Sequence, residues 1–99
     1  EGADLSWANL VESDLSKSTM EFAVLFRANL QEAKLDGAKL YGADLRGANV
    51  EKASFLGTHL QGVAIRYAHG LSQEQLNQAC VDARTRLPEA LVGPSPCPR

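Results

Sequence analysis

The 99-residue chain is 44% hydrophobic and 22% charged, with a formal net charge of −2 at pH 7. These values exclude a chain that is disordered by composition, and no apolar run approaches the ~18 residues that a membrane-spanning helix requires. Acidic and basic residues are mixed along the sequence, so neither the basic surface typical of nucleic-acid binding nor a strongly acidic surface is present. We therefore expect one small domain with no membrane partner and no nucleic-acid partner.

A hydrophobic residue occupies every fifth position over the first two thirds of the chain, without a miss. At this composition, thirteen consecutive matches have a chance probability on the order of 10⁻⁵. A small or β-branched residue stands two positions before each one, as Ala3 does before Leu5. The central residues, which we expect to stack as core ladders, are Leu5, Leu10, Leu15, Met20, Leu25, Leu30, Leu35, Leu40, Leu45, Val50, Phe55, Leu60 and Ile65.

This period fits neither a helix, around which the large residues would spread, nor a flat strand, along which they would alternate sides. All of them point to one interior only if the chain turns a corner of about 90° in each repeat. Four corners close a coil of twenty residues, and coils stack at the ~4.8 Å spacing of paired strands. The spacing therefore predicts an all-β solenoid of about three coils, in which Asn9, Asn29 and Asn49 share a column and hydrogen-bond along the stack.

The segments Ala3-Asp4-Leu5, Ala8-Asn9-Leu10 and Ala43-Asp44-Leu45 match the motif A(D/N)LXX. On these residues the chain resembles the pentapeptide-repeat family, and the resemblance covers residues 1–69. It implies a right-handed quadrilateral β-helix, which we take as the fold and as the first of two structural units. Some repeats depart from Asp or Asn at the second position, among them Val24 and Lys34.

The corners are expected to differ with their residues. Five of them place glycine at the second position after the central residue, where a type II turn requires a positive φ. The corners at Glu12, Lys17, Arg27 and Glu32 are predicted to be type I or irregular.

Residues 70–99 are predicted to form the second unit, a short capping helix followed by a Pro-rich extended tail. Ser72 is the expected N-cap, Gln75 its capping-box partner, and the helix should run from about Gln73 to Cys80 or slightly beyond. This stretch resembles the C-terminal segment of some bacterial pentapeptide-repeat proteins. Pro88 and the prolines after it favour an extended chain.

Cys80 and Cys97 are the only two cysteines, and both lie outside the repeats. A disulfide between them is one interpretation, and it favours an exported or periplasmic protein over a cytoplasmic one. The other is two unpaired thiols, with Cys80 packed as a small hydrophobe. The chain starts at Glu1, within a repeat and without methionine, so we expect a processed form or an excised piece.

The outer surface carries one unusual cluster, because residues 21–26 alternate inward and outward side chains. Residues twenty positions apart are neighbours on successive coils, which brings further side chains to the same region. The resulting candidate interaction surface consists of Trp7, Phe22, Val24, Phe26, Arg27 and Tyr41. It is predicted either to bind a protein partner or a second copy, or only to cover the N-terminal coils with a cation–π pair at Arg27.

No catalytic constellation, cofactor motif or metal-ligand spacing is found. His59 and His69 fall on different faces, and a core of leucine and alanine leaves no pocket for a small-molecule substrate. We expect no enzyme, no cofactor and no metal. The favoured function is a structural or protein-interaction module that uses the apolar patch or the coil ends. The alternative, implied by the resemblance, is a DNA-mimicking inhibitor of type II topoisomerases, which the short, charge-balanced rod disfavours.

Overall fold

The structure, a computed structural model, describes residues 2–88. Each five-residue repeat from Asp4 to Asn49 makes one isolated parallel β-bridge to the repeat twenty residues later, as between Asn9 and Asn29. The N–H of Leu10 donates to the carbonyl oxygen of Asn29 at 2.8 Å, and the N–H of Asn29 donates to that of Ala8 at 2.8 Å. Over residues 2–69 the chain thus winds as a four-sided coil. The β structure of the described residues consists of such bridges, and no longer strand is formed.

The second residue of every corner from Trp7 to Gly62 has a positive φ, and this differs from the sequence expectation. Glu12, Lys17, Arg27 and Glu32 have φ values of 58° to 60°, close to those of the corner glycines. Only the second corner residue has positive φ, which makes these type II turns. The prediction of type I or irregular corners was wrong, and in the last repeat Tyr67 is not among the residues with positive φ.

Every corner from Gly2 to Gly42 also donates a backbone hydrogen bond to the next coil. The N–H of Glu12 donates to the carbonyl oxygen of Gln31 at 2.9 Å, and that of Lys17 donates to the oxygen of Asp36 at 2.8 Å. A left-handed conformation costs an L-residue about 1–2 kcal/mol. The hydrogen bonds between stacked coils offset this cost at non-glycine corners such as Glu12 and Lys17.

The Asp or Asn side chain of the motif accepts a hydrogen bond from the first residue of the corner that follows it. The Oδ1 atom of Asn29 accepts the N–H of Gln31 at 3.1 Å, and that of Asp14 accepts the N–H of Ser16 at 3.0 Å. The same contact occurs in the repeats of Asp4, Asn9, Asp44 and Asn49. The three asparagines are stacked as predicted. No hydrogen bond joins their amides within the described chain, and each side-chain oxygen accepts the backbone N–H two residues later.

The core lies on the axis of the coil. From Leu25 to Ile65 every central residue is at most 1% exposed, and the small residues between them are also buried. In the first coil, residues 2–21, the central residues have a neighbouring coil on one side only and are half-buried. These four are Leu5, Leu10, Leu15 and Met20, which pack against the core from its N-terminal end.

After residue 70 the chain forms its one described helix, α1, at Gln73–Gln78. The capping box predicted at Ser72 and Gln75 is present, and Leu76 is buried. The helix ends two residues earlier than expected because Ala79 is extended and Cys80 pairs with His59 as the next coil would. Arg86 pairs with Ala64 in the same way. The segment after α1 therefore returns to the solenoid on two sides.

Cys80 is 1% exposed and disulfide-bonded. Cys97 and the prolines beyond Pro88 lie outside the described residues, so the Cys80–Cys97 pairing stays a prediction.

Candidate interaction surface

The predicted surface residues lie on one side of the solenoid, which we call the first face. Its core residues are Leu5, Leu25, Leu45 and Ile65, and its outward column runs from Asp4 through Val24 and Asp44 to Ala64. Two corners border it. The entry corner comes before it in each coil and carries Phe22, Tyr41 and Gln61. The exit corner comes after it and carries Trp7, Phe26, Arg27, Arg46, Arg66 and Tyr67.

The exit corner is a stack of rings and guanidinium groups. The Trp7 and Phe26 rings meet edge to face with centroids 6.3 Å apart. The guanidinium carbon of Arg27 lies 5.3 Å from the centre of Trp7 and 5.5 Å from that of Phe26. Arg46, one coil further, lies 5.6 Å from the centre of Phe26. These are cation–π distances, so the arginines hold the rings in place on the surface.

The entry corner forms a shallow pocket of about 360 Å³. The Phe22 ring lies directly over Gly42, so close that a Cβ at position 42 would stand 2.5 Å from a ring carbon. Tyr41 packs against the ring of His59 at 5.3 Å between centroids. Gln61 and Arg84 complete the lining. Nδ1 of His59 and Oε1 of Gln61 are buried without a hydrogen-bond partner.

The structure thus divides the six predicted residues into two groups. Trp7, Phe26 and Arg27 are in mutual contact at the exit corner, whereas Phe22 and Tyr41 line the entry-corner pocket. Val24 lies half-buried on the first face between them. Trp7 is 67% exposed and Phe22 is 59% exposed, which makes them the most accessible of these aromatic residues.

Charge on the first face is arranged around Asp44. Its carboxylate accepts two hydrogen bonds from the Arg46 guanidinium, at 2.9 and 2.8 Å. This contact lowers the pKa of Asp44 and raises the pKa of Arg46. Arg86 is exposed in the same outward column, one coil beyond Ala64. Arginine is consequently more abundant than aspartate on this side of the molecule.

Five contributors to these corners were not predicted from the sequence. The coil period could have found four of them, because Arg46 and Gln61 lie twenty residues after Phe26 and Tyr41, and Arg66 and Tyr67 lie forty residues after Phe26 and Arg27. Arg84 could not be found in this way, because α1 and its flanking residues change the count before the chain rejoins the solenoid.

Elsewhere, a second pocket of about 400 Å³ lies between Glu51, Lys52 and the start of α1, and its lining is polar. Residues 2–88 contain no cluster of three or more His, Cys, Asp or Glu side chains placed to bind a metal ion. Over the same range, no helix has the length and apolar character needed to span a bilayer.

Known proteins have similar repeats and a similar architecture. The family model for pentapeptide repeats matches residues 3–40 and 38–69, with eight copies of the repeat. A comparison with curated proteins finds no match.

Three solved structures illustrate the similarity. The pentapeptide-repeat protein alr5209 from Nostoc PCC 7120 is 28% identical, over 90% of this chain and 77% of that one, with a TM-score of 0.46. HetL from Nostoc PCC 7120, involved in regulation of heterocyst differentiation, is 23% identical, over 87% and 45%, with a TM-score of 0.48. Rfr23 from Cyanothece 51142 is 31% identical, over 87% and 54%, with a TM-score of 0.40. The chain spans about half the length of the last two.

Proposed function

Because the chain belongs to the pentapeptide-repeat family, we propose that it is a non-catalytic interaction module that binds a protein partner through the corners of its first face. The observation that carries this proposal is the cluster of exposed aromatic rings held by arginines at the exit corner. Trp and Arg are the residues that most often dominate the binding energy of protein interfaces.

The rigidity of the support favours binding at this place. Arg27 and Phe26 belong to a coil whose backbone bonds to the coils on both sides, as in the N–H of Trp7 to the oxygen of Phe26 at 2.9 Å and the N–H of Arg27 to the oxygen of Arg46 at 3.0 Å. A partner therefore meets side chains that are already ordered, so less conformational entropy is lost on binding.

The proposal includes the division of the chain into a solenoid of about three coils, residues 1–69, and a C-terminal cap. Three observations support the cap. Leu76 is buried, the N–H of Cys80 donates to the oxygen of Thr58 at 2.8 Å, and the N–H of Gly57 donates to the oxygen of Gln78 at 2.8 Å. These contacts occupy an end that would otherwise expose unpaired backbone groups.

The test compares two exposed surfaces of the same rod. A variant with Trp7→Ser, Phe22→Ser and Phe26→Ser is immobilised beside the native protein, and proteins of the source organism retained by each are quantified by mass spectrometry. Leu56→Ser is the matched control, because Leu56 is 61% exposed at a different corner. We expect a partner that the native protein and the control retain and the triple variant loses. Equal retention by all three would exclude this surface.

A further inference from the structure

We propose that the pocket at the entry corner binds a proline-rich segment of the protein partner in the polyproline II conformation. This inference rests on the proposed function and adds the chemistry of the partner. It starts from Gly42 and Gly62, which line the pocket on successive coils and place no side chain at the second corner position. A Cβ at Gly62 would be nearest to the backbone of Gly42, at 3.6 Å. The floor of the pocket is therefore bare backbone.

The wall of the pocket next to this floor is aromatic. The Phe22 ring rests on Gly42, yet Phe22 is still 59% exposed. Tyr41 also lines the pocket and packs against the ring of His59 at 5.3 Å between centroids. Aromatic-lined grooves bind polyproline II segments, because proline rings pack on them and the segment already has its bound conformation. The two rings therefore favour a proline-rich ligand.

The side chains that reach this pocket can donate hydrogen bonds. The Tyr41 hydroxyl makes no hydrogen bond within the described chain. Oε1 of Gln61 is buried, so the amide nitrogen is the polar atom of that side chain that a ligand can reach. The Arg84 side chain is 82% exposed, and its Nη2 contacts Asp82 at 3.3 Å, which leaves further N–H groups for a ligand.

A proline-rich segment supplies groups that match these donors. Proline has a carbonyl oxygen but no N–H, so its backbone accepts hydrogen bonds and leaves no donor unsatisfied when it is buried. The lengths also agree. One turn of polyproline II contains three residues and rises about 9 Å, and two coils of the solenoid span about 9.6 Å. Successive turns of such a segment can therefore meet Phe22 and the corner at Gly62, which lies two coils further.

The experiment follows backbone amide signals of the isotope-labelled chain by NMR. Gly42 and Gly62 report on the pocket, and Gly37 and Gly57 report on a different corner. The probe is an acetylated decaproline peptide. Two further peptides of equal length separate the alternatives: a flexible glycine-serine repeat, and a helical peptide of alanine and lysine with leucine along one face.

Two pairs of variants test the contacts. Tyr41→Phe removes the hydroxyl and keeps the ring, and Tyr67→Phe is its matched control because Tyr67 is exposed at the exit corner. Phe22→Ala removes the ring, and Leu56→Ala is its control because Leu56 is 61% exposed at another corner. The dispersion of the same spectra shows whether each variant is folded.

We expect decaproline to shift the signals of Gly42 and Gly62 and to leave those of Gly37 and Gly57 in place. Affinity should fall about fivefold for Tyr41→Phe, which loses one hydrogen bond, and about tenfold for Phe22→Ala, with both controls within about twofold. Any one of three results overturns the inference: no shift with decaproline, binding of either other peptide as tightly, or test variants that bind decaproline as their controls do.

Failure of this inference can be distinguished from failure of the proposed function. If decaproline does not bind while the aromatic triple variant still loses its retained partner, the interaction surface stands and only the proline-rich chemistry is wrong. If decaproline binds while the triple variant keeps every partner, the chemistry of the pocket stands and the proposed function is wrong.

Discussion

The carboxamide of Gln75 donates to the carbonyl oxygen of Val50 at 2.8 Å, across the junction between α1 and the solenoid. The same nitrogen lies 2.9 Å from the oxygen of Ala53, while Oε1 of Gln75 accepts the N–H of Ser72 at 2.7 Å. One side chain therefore completes the capping box of α1 and satisfies two carbonyl groups of a coil that no further repeat covers on this side.

We predict that Gln75→Ala destabilises the protein by about 1–2 kcal/mol, because it leaves the partly buried carbonyl oxygen of Ala53 without a donor and opens the capping box. The carbonyl oxygen of Val50 keeps the N–H of Ala53 as a donor. The measurement is the free energy of unfolding in urea. Gln78→Ala is the control, since Gln78 is exposed in the same helix and contacts the solenoid through its backbone. Equal values for the two variants would contradict a joining role for Gln75.

A charged substitution in the core is expected to destabilise the protein more than a substitution in the cap. Leu35 is fully buried on the axis of the solenoid, with coils on both sides. We predict that Leu35→Lys prevents folding, since an unpaired buried charge costs more than the 5–15 kcal/mol by which small domains are stable. Circular dichroism and thermal unfolding provide the measurement.

Leu56→Lys supplies the comparison, because Leu56 is at an exposed corner of the following coil. That variant should keep its melting temperature within a few degrees. A folded Leu35→Lys protein with an unchanged transition would contradict the inward stacking of the central residues.

The period of five was enough to predict the coil, because burying one large residue per repeat permits only one kind of chain path. The conformation of the corners was not predictable in this way. Residue preferences at Glu12 and Lys17 favour negative φ, but the ladder bond to the next coil depends on all twenty residues and prevails over a cost of about 1–2 kcal/mol per corner.

The positions of surface side chains could be predicted from the five-residue period only within the repeats. Trp7 and Arg27 were predicted to be neighbours from their separation of twenty residues, and the structure brings them together. Ser54 occupies a position where the motif would place Asp or Asn, and the motif does not predict what replaces that side chain. The carboxylate of Asp36, from the preceding coil, accepts the N–H of Leu56 and also contacts the hydroxyl of Ser54. Beyond α1 the spacing is no longer twenty residues, so Arg84 and Arg86 could not be assigned to a column from the sequence.

Stability should decrease in acid because of aspartates at the first face and the cap. The hydrogen bond from Arg46 lowers the pKa of Asp44. Burial opposes ionisation of Asp82, but the backbone N–H groups of Arg84 and Gly62 outweigh it and lower the pKa of Asp82. Groups whose pKa is lower in the folded state stabilise it above their unfolded pKa of about 3.9, and that contribution is lost as the pH falls through the folded value.

We therefore predict a melting temperature that is nearly constant from pH 7 to 5 and falls below about pH 4. Asp82→Asn should lower the melting temperature at pH 7 and reduce the acid-dependent fall, since the neutral amide has no charge to lose. Glu74→Gln on the exposed side of α1 is the control. The assignment would be wrong if Asp82→Asn kept the full acid dependence of the native protein.

The contact between Phe22 and Gly42 can be measured by itself. A Cβ at Gly42 would stand 2.5 and 2.7 Å from two carbons of the Phe22 ring, whereas one at Gly57 would meet nothing within 4 Å. Both glycines have positive φ, at 68° and 66°, so alanine carries the same backbone strain at either position. We predict that Gly42→Ala destabilises the protein by about 1 kcal/mol more than Gly57→Ala, because the ring must leave its place on the corner.

A double-mutant cycle identifies the ring as the cause. In a Phe22→Ala background, Gly42→Ala should reduce the free energy of unfolding only as much as Gly57→Ala does, since only the shared backbone strain remains. If the difference between the two glycine positions persisted without the ring, it would arise from the backbone of the entry corner. In that case the Phe22 ring would not be fixed by its contact with Gly42, and the pocket that Phe22 lines with Tyr41 would not have a defined shape.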